Sequence, residues 1–337
     1  MTFLNELNLT LKEMLETDNR VYILGEDIID PYGGAFKVTK GLSTLFPERV
    51  IATPISEAAV IGIAGGMALA GLRPIVEIMF GDFLTLGFDQ ILNHLTKYSP
   101  MYNRIVNCPV IIRTPFGGGR AYGPTHSQSL EKYFLGIPEI RIVAPSLYSD
   151  IHKIFRNILS KEEVTIFCEH KLLYPQKIIN MNLDDDSGNL IINSYRSKDG
   201  FETKCISFVP REECKCTVLS YGYTATIALG VIEQLAFEEE IFAELIIIES
   251  LAPYDIDIVF DSVESTKALI IAEESTSGWS WGTQIALDIY FKYSKLLRKP
   301  IEIVSSASSI IPSSKDEESK VLVNSSKIKQ AILRSCL

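Results

Sequence analysis

Short runs of Val, Ile and Leu alternate along the first half of the chain with longer segments whose apolar residues recur at helical spacing. Such runs predict strands buried on both faces, and their alternation with helices predicts mainly parallel sheets. The predicted strands are 21–24, 74–80, 109–113, 140–144 and 164–168, and the predicted helices are 56–70, 85–97 and 148–160. The fold class that follows is α/β.

The alternation stops between Pro175 and about Lys215, a stretch with few apolar runs that includes the polar sequence 184–189. Stretches of this kind are typical of linkers between domains. The alternation then resumes, with predicted strands at 216–221, 245–248, 268–272 and 301–304 and predicted helices at 224–237, 283–293 and 325–334. We therefore predict two domains, residues 1–175 and 215–337, joined by a linker at 176–214.

Composition excludes several classes of protein. The chain has 337 residues, 47% of them hydrophobic and 22% charged, which is the balance of a soluble globular protein. A net charge of −10 without a basic stretch argues against nucleic acid as a partner. The apolar run Ala58–Leu72 is too short to span a membrane and predicts a tightly packed core helix. The amphipathic first residues do not predict a signal peptide.

The six cysteines predict free thiols in a reducing cytoplasm rather than a metal site. Cys205, Cys214 and Cys216 cluster along the chain, but no nearby histidine or fourth cysteine completes a zinc set. The sequence predicts neither a metal site nor a membrane segment, and we expect a cytoplasmic protein.

Glu57 is the first candidate for chemistry, because it opens an apolar helix built of small residues. Pro54 fixes an extended approach, and Ser56 can cap the helix. A carboxyl group in apolar surroundings tends to stay neutral and can then donate a hydrogen bond. The alternative, favoured by this segment alone, is an ordinary glutamate stabilised by the helix dipole.

His126 and Phe83 are further candidates, because both follow predicted strands of a parallel sheet. His126 belongs to the glycine-rich loop 117–128, in a polar setting that suits proton transfer, although a structural role is equally compatible with its spacing. The loop has neither the Gly-Lys-Ser/Thr of a phosphate-binding loop nor a GxGxxG pattern. Phe83 could present its face to a planar heterocycle, although core packing is the commoner use.

A series of short motifs lies between residues 4 and 175. They are Gly25-Glu26-Asp27, Tyr32-Gly33-Gly34, 38–42 (VTKGL), 53–57 (TPISE), 71–74 (GLRP), 88–91 (FDQI), 126–128 (HSQ) and 169–174 (EHKLLY). In order and spacing this series resembles the beta subunits of the thiamin-dependent decarboxylase components of 2-oxo acid dehydrogenases, of the pyruvate, acetoin and branched-chain type. The resemblance implies a thiamin pyrimidine-binding domain followed by a transketolase-like carboxyl-terminal domain.

The resemblance also implies roles for single residues. The glutamate that matches Glu57 hydrogen-bonds N1′ of the aminopyrimidine of thiamin diphosphate and supports the proton relay to the thiazolium C2. Phe83 would stack on the pyrimidine, and Ile55 and Met79 would line its site. Glu26 would lie in an acidic tunnel that joins two such sites. His126 would assist transfer of the acyl group to a lipoyl arm.

A missing motif implies a partner chain. Thiamin enzymes hold the diphosphate and Mg²⁺ through Gly-Asp-Gly and an asparagine pair, and the sequence contains no Gly-Asp-Gly. The resemblance therefore implies a separate alpha subunit that supplies the diphosphate and Mg²⁺ site, in an α2β2 heterotetramer. A lipoyl acyltransferase core would be a further partner, and a small 2-oxo acid the substrate.

The second domain departs from the family pattern at 249–255 and at the serine-rich stretch 305–314, which 315–318 (KDEE) follows. These departures leave the contact with the acyltransferase core open, and Lys161, in place of the usual acidic residue, leaves potassium binding open. Two other functions stay open, the first because of these departures and the second as a different class, against which the joint presence of Glu57, Phe83 and His126 argues. One is a two-chain, transketolase-like synthase that joins the acyl unit to an aldehyde or a carrier-bound acyl group. The other is a non-catalytic structural subunit.

Overall fold

The structure is a computed structural model that describes residues 1–179 and 190–336. The chain divides into two compact units. The first comprises Met1–Gly117, Tyr133–Val143 and Ser149–Ile178, and the second comprises Gly118–Lys132, Ala144–Tyr148 and Ile179–Leu337. The polar sequence 184–189 lies outside the described residues.

A parallel sheet forms the centre of the first unit. Its strands follow the order β5-β6-β4-β3-β1-β2, and every neighbouring pair is parallel. They are β1 (Val21–Gly25), β2 (Val50–Ala52), β3 (Arg73–Glu77), β4 (Ile111–Phe116), β5 (Ile140–Val143) and β6 (Val164–His170). Every residue of β3, β4, β5 and β6 is buried, which explains their nearly unbroken apolar runs. The predicted α/β class and the five predicted strands of this half are confirmed.

The helices of the first unit are α1 (Phe3–Thr17), α2 (Leu42–Leu45), α3 (Glu57–Leu69), α4 (Thr96–Met101) and α5 (Ile151–Leu159). The segment predicted as a helix at 85–97 is helical, but it is not one regular α-helix. A 3-10 helix (Gly81–Gly87), a π-helix (Gln90–Leu95) and α4 replace it. Two tight contacts accompany this departure from α geometry. A Cβ on Gly81 would lie 2.7 Å from the ring of Phe116, and one on Gly87 would lie 2.2 Å from Ile61 Cδ1.

A buried charge cluster crosses the middle of this sheet. Arg113 of β4 donates through Nη1 to Glu77 Oε2 of β3 at 2.7 Å and through Nη2 to Glu169 Oε2 of β6 at 2.8 Å. The Tyr174 hydroxyl donates to the same Glu169 oxygen at 2.7 Å. The side chains of Arg113 and Glu169 are 1% and 0% exposed. Burial alone would lower the pKa of Arg113, but the charges of Glu169 and Glu77 outweigh burial, so the pKa is raised.

A mixed sheet forms the centre of the second unit, with strand order β13-β12-β9-β10-β8-β7. The strands of the unit are β7 (Ile191–Arg196), β8 (Glu202–Ser207), β9 (Cys216–Ser220), β10 (Ala243–Ile248), β11 (Ser250–Ala252), β12 (Leu269–Thr276) and β13 (Glu302–Ser306). Its helices are α6 (Gly222–Glu239), α7 (Asp257–Thr266), α8 (Trp281–Tyr293), α9 (Lys315–Val321) and α10 (Ser325–Cys336). Strands β9, β10, β12 and β13 pair in parallel, and the four strands predicted for this half are confirmed.

The range 176–214 suggested as a linker contains β7 and β8, which form an antiparallel pair, and β8 pairs antiparallel with β10. The exposed side chains of β7 make it a polar edge strand, and this polarity is why the pattern of apolar runs gave no strand there.

We predict that Arg113→Met will lower the free energy of unfolding by about 3–5 kcal/mol, because it leaves two buried carboxyl groups without their cation. Arg104→Met is the matched control, since Arg104 pairs with Glu139 on the surface. Urea unfolding followed by circular dichroism measures both variants. An equal decrease in the free energy of unfolding in the two variants would contradict the assignment of the Arg113 cluster as the main electrostatic contact of the unit.

Candidate functional site

Glu26 lies at the carboxyl end of β1, where the sheet of the first unit is tightly fitted. Gly25 pairs with Glu77 of β3, and a Cβ on Gly25 would lie 2.8 Å from the Glu77 carbonyl oxygen. Only glycine allows this approach, so the strand end that carries Glu26 is held in one register. In parallel sheets ligands bind at such carboxyl ends.

Glu57 is the first residue of α3, and its carboxyl group is near enough to that of Glu26 for the two charges to interact. Glu57 is 7% exposed, whereas Ile55, two residues earlier, is 83% exposed. The Ser56 backbone N–H donates a hydrogen bond to the Glu26 carboxyl group, and Ser56 has no capping hydrogen bond through its own side chain. Burial raises the pKa of Glu26, the negative charge of Glu57 raises it further, and the bond from Ser56 partly opposes both. Glu26 therefore retains its proton to a higher pH than an isolated glutamate would.

Helix α3 buries one face and leaves the other uncovered in this chain. Val60, Ile61 and Ala64 are buried, whereas Ile63 is 55% exposed. The prediction of a tightly packed core helix is wrong for the exposed face. The helix is apolar on all sides, so the sequence pattern could not indicate which side faces the sheet.

Met79 and Phe83 lie on the connection that leaves β3. Both are partly exposed, and the ring of Phe83 packs edge-to-face on Phe80 with centroids 5.8 Å apart. The 3-10 helix that carries Phe83 packs against α3, with Gly87 close to Ile61. The strand ends and the start of α3 thus gather Glu26, Ile55, Glu57, Met79 and Phe83 in the first unit. Their catalytic and binding roles stay predictions.

His126 belongs to the second unit, within the segment Gly118–Lys132. Its Nδ1 lies 3.0 Å from the Thr125 hydroxyl, and its side chain is partly exposed. Glu274 Oε1 accepts hydrogen bonds from the Gly118 backbone N–H at 2.8 Å and from the Ser129 hydroxyl at 3.0 Å. Both ends of the loop are therefore attached to one buried carboxyl group of β12.

A second buried carboxyl group lies near the end of this segment. Glu131 Oε1 accepts a hydrogen bond from the Tyr221 hydroxyl at 2.6 Å, and the Tyr221 ring packs edge-to-face on Trp281. Burial raises the pKa of Glu131 to about 7, against the opposing effect of the Tyr221 hydrogen bond. The repulsion from Glu273 and Glu274 adds to the rise.

Sequence reasoning missed these buried ionisable groups. In each of three strands a charged residue stands next to uncharged neighbours. These residues are Glu77 in β3, Arg113 in β4 and Glu169 in β6. A charge in a strand covered on both faces needs a partner, so the three strands together carried a usable signal. Glu131 gave no comparable signal, because its neighbours Lys132 and Tyr133 are typical of an exposed turn.

Within residues 1–179 and 190–336, no group of three or more His, Cys, Asp or Glu side chains is arranged to hold a metal ion. None of the helices in those ranges combines the length and the apolar composition that a membrane span requires.

Comparison with known proteins decides the family. Residues 1–177 match the family described as transketolase, pyrimidine binding domain, and residues 208–328 match transketolase, C-terminal domain. The pyruvate dehydrogenase E1 component subunit beta of Leifsonia xyli is 33% identical, over 98% of this chain and 93% of that one. The chain belongs to the beta-subunit family of the 2-oxo acid dehydrogenases.

Other members of this beta-subunit family are equally similar to the chain. The 2-oxoisovalerate dehydrogenase subunit beta of Bacillus subtilis is 33% identical, over 82% of this chain and 81% of its own. The acetoin:2,6-dichlorophenolindophenol oxidoreductase subunit beta of Cupriavidus necator is 31% identical, over 96% of this chain and 94% of its own. A solved chain described as a split-gene transketolase, an inactive beta4 tetramer, has a TM-score of 0.73 at 17% identity. The match covers 98% of this chain and 97% of the solved one. This last likeness supports the two-domain transketolase-like fold alone.

We predict that this beta-subunit homologue loses stability as the pH rises through about 7, because Glu131 must then ionise while buried. The folded-state pKa is raised, so the stabilising contribution is complete below the ordinary value of 4.5 and is lost as the pH passes 7. Glu131→Gln should flatten the dependence of the melting temperature on pH between 5 and 8, whereas the exposed Glu212→Gln should leave it as in the wild type. Identical pH profiles for wild type and Glu131→Gln would refute this assignment.

Proposed function

We propose that the chain is the beta subunit of a thiamin-diphosphate-dependent 2-oxo acid dehydrogenase component. The observation that carries the proposal is the buried carboxyl group of Glu57 at the start of α3, next to Glu26 and flanked by the exposed Ile55. The overall reaction would convert a short 2-oxo acid and oxidised lipoamide into carbon dioxide and S-acyl dihydrolipoamide, with the 2-oxo acid oxidised and the lipoamide disulfide reduced.

The side chains of the first unit fit the aminopyrimidine ring of thiamin. A ring nitrogen needs a carboxyl partner, and Glu57 provides one at a helix start. The ring faces need apolar or aromatic cover, which Ile55, Met79 and Phe83 supply from partly or fully exposed positions. When bound, the thiazolium of the cofactor supplies the electron sink for cleavage of the carbon–carbon bond.

Glu57 and Glu26 would each hold a proton, in different places. Glu57 would hold a proton at the ring nitrogen N1′ and so orient the ring. Glu26 has a raised pKa because it is partly buried next to Glu57, and it would keep a second proton within this acidic pair. Neighbouring carboxyl groups in unlike environments are a recurrent arrangement for acid and base work.

A second chain would complete this site. The sequence has no Gly-Asp-Gly to hold diphosphate and Mg²⁺, and Ile55, Ile63 and Leu86 are large exposed apolar side chains of the first unit. We propose that an alpha subunit covers this apolar surface and supplies the diphosphate and Mg²⁺ site, in an α2β2 heterotetramer. In this scheme residues 1–175 and 215–337 act as the pyrimidine-binding and carboxyl-terminal domains.

The substrate would be a short 2-oxo acid, since the relatives are named for pyruvate, 2-oxoisovalerate and acetoin at similar levels of identity. The acyl acceptor would be a lipoyl group on an acyltransferase core. We also propose a cytoplasmic location, because the cysteines of the chain are free thiols.

The test uses the chain purified with its alpha subunit, thiamin diphosphate and Mg²⁺. We predict that Glu57→Gln will lower the release of carbon dioxide from pyruvate or 2-oxoisovalerate by roughly 10²-fold or more, because the N1′ partner can no longer take part in proton transfer. The exposed Glu48→Gln, in the same unit, is the matched control and should retain wild-type activity.

An unchanged rate in Glu57→Gln would overturn the catalytic assignment. A wild-type pair that joins the acyl unit to an aldehyde and does not acylate lipoyl protein would instead identify a synthase. A pair that binds thiamin diphosphate without releasing carbon dioxide from any short 2-oxo acid would indicate a structural subunit.

His126 gives a separate prediction. If it assists acyl transfer, His126→Ala should slow formation of S-acyl dihydrolipoamide by roughly 10²-fold, within the usual range for loss of a general acid or base. Release of carbon dioxide with an artificial electron acceptor should fall far less. A parallel loss of both activities would argue against a role that is confined to the transfer step.

A further inference from the structure

Glu318 of α9 is a buried carboxyl group on an otherwise exposed helix segment. Glu318 is 1% exposed, whereas its neighbours Asp316, Glu317 and Ser319 are exposed. A buried carboxylate needs hydrogen-bond donors, because its desolvation is costly. The donors of Glu318 come from the loop that carries His126.

Two backbone N–H groups of that loop converge on the Glu318 carboxyl group. Gly119 N donates to Oε1 at 3.0 Å, and Ala121 N donates to Oε2 at 2.9 Å. Gly119 and Ala121 have left-handed backbone angles, with φ of +84° and +57°. Backbone N–H groups that converge in a turn can bind an anion, and here a carboxyl group of the same chain accepts both.

The loop also lies in close contact with the segment around Glu318. A Cβ on Gly118 would lie 2.6 Å from Leu322 Cδ1 and 3.2 Å from Glu318 Oε1. A Cβ on Gly123, whose φ is +81°, would lie 2.7 Å from Ser313 Oγ. The glycines thus allow the backbone to approach residues 313–322, and Glu318 fixes that approach with two hydrogen bonds.

We propose that Glu318 is a positioning residue for His126. It holds the amino-terminal part of the loop through Gly119 and Ala121, while Glu274 holds Gly118 and Ser129. His126 lies between these attached points, so its backbone position depends on both carboxyl groups. The consequence for acyl transfer rests on the function proposed above for His126, whereas the effect on the loop does not.

Glu318→Gln tests this directly, because it keeps the shape of the side chain but leaves one acceptor oxygen and removes the charge. The matched control is Glu317→Gln, one residue earlier, whose carboxylate pairs with Lys320 on the surface. Amide hydrogen exchange of peptides covering residues 117–129 is measured in the full chain with its alpha subunit. We expect exchange at least tenfold faster in Glu318→Gln and unchanged in Glu317→Gln.

The activity measurements separate a positioning role from a general structural one. In Glu318→Gln, kcat for acylation of lipoyl protein should fall about tenfold. Release of carbon dioxide with an artificial electron acceptor should stay within about twofold of wild type. If Glu318→Gln does not fold, Glu318→Asp, which keeps the charge but shortens the side chain, is measured in the same way and should give faster loop exchange and slower acylation.

Unchanged exchange of the loop in the folded variant would overturn the proposal, whatever the activity. Faster exchange with normal acylation would also overturn it, since the loop would then not position His126. If the wild-type pair forms no S-acyl dihydrolipoamide, the proposed function fails. The exchange measurement still decides in that case whether Glu318 holds the loop.

Discussion

The first unit depends on the buried guanidinium group of Arg113 and on its ion pairs. It joins three neighbouring strands by contacting Glu77 and Glu169, and burial would be unfavourable for any of the three charges alone. Tyr174 donates to Glu169 and supplies a further partner inside the cluster. The strands therefore assemble in one register, because a shift would leave a charge without its partner in the core.

The candidate site is built directly on this cluster. Glu77 pairs with Gly25, which precedes Glu26, so the strand end with the acidic pair is fixed by the same close contact. A Cβ on Gly34 would lie 2.7 Å from Glu77 Oε1, so the loop after β1 also passes over the cluster. Hydrogen bonds from Thr44 and Gly41 lower the pKa of Asp30 to about 2 and hold the rest of that loop. These contacts hold the strand end and the loop on either side of Glu26 in one position, and precise proton transfer requires such fixed positions.

The α/β fold could be predicted from apolar runs, because strands covered on both faces leave an unambiguous signal in the sequence. Glu26, Glu57 and Phe83 could be proposed from motif order, and the structure gathers their segments at strand ends and a helix start. The irregular helices between 81 and 101, the polar edge strand β7 and the exposed face of α3 could not be predicted. Each depends on tertiary contacts that local periodicity does not encode. The burial of Glu318 could not be predicted either. Its charged neighbours gave no sign that a loop far away in the sequence would bury its carboxyl group.

We propose that the carboxyl group of Glu57 would control proton transfer in bound thiamin diphosphate by holding a proton at N1′ of the pyrimidine. The rate of hydrogen–deuterium exchange at C2 of the bound cofactor measures this most directly. It is followed by acid quench and proton NMR in the chain purified with its alpha subunit, without substrate. We expect exchange slower by roughly 10²-fold or more in Glu57→Gln, with thiamin diphosphate still bound. Exchange at the wild-type rate in that variant would overturn the assignment of Glu57 as the N1′ partner.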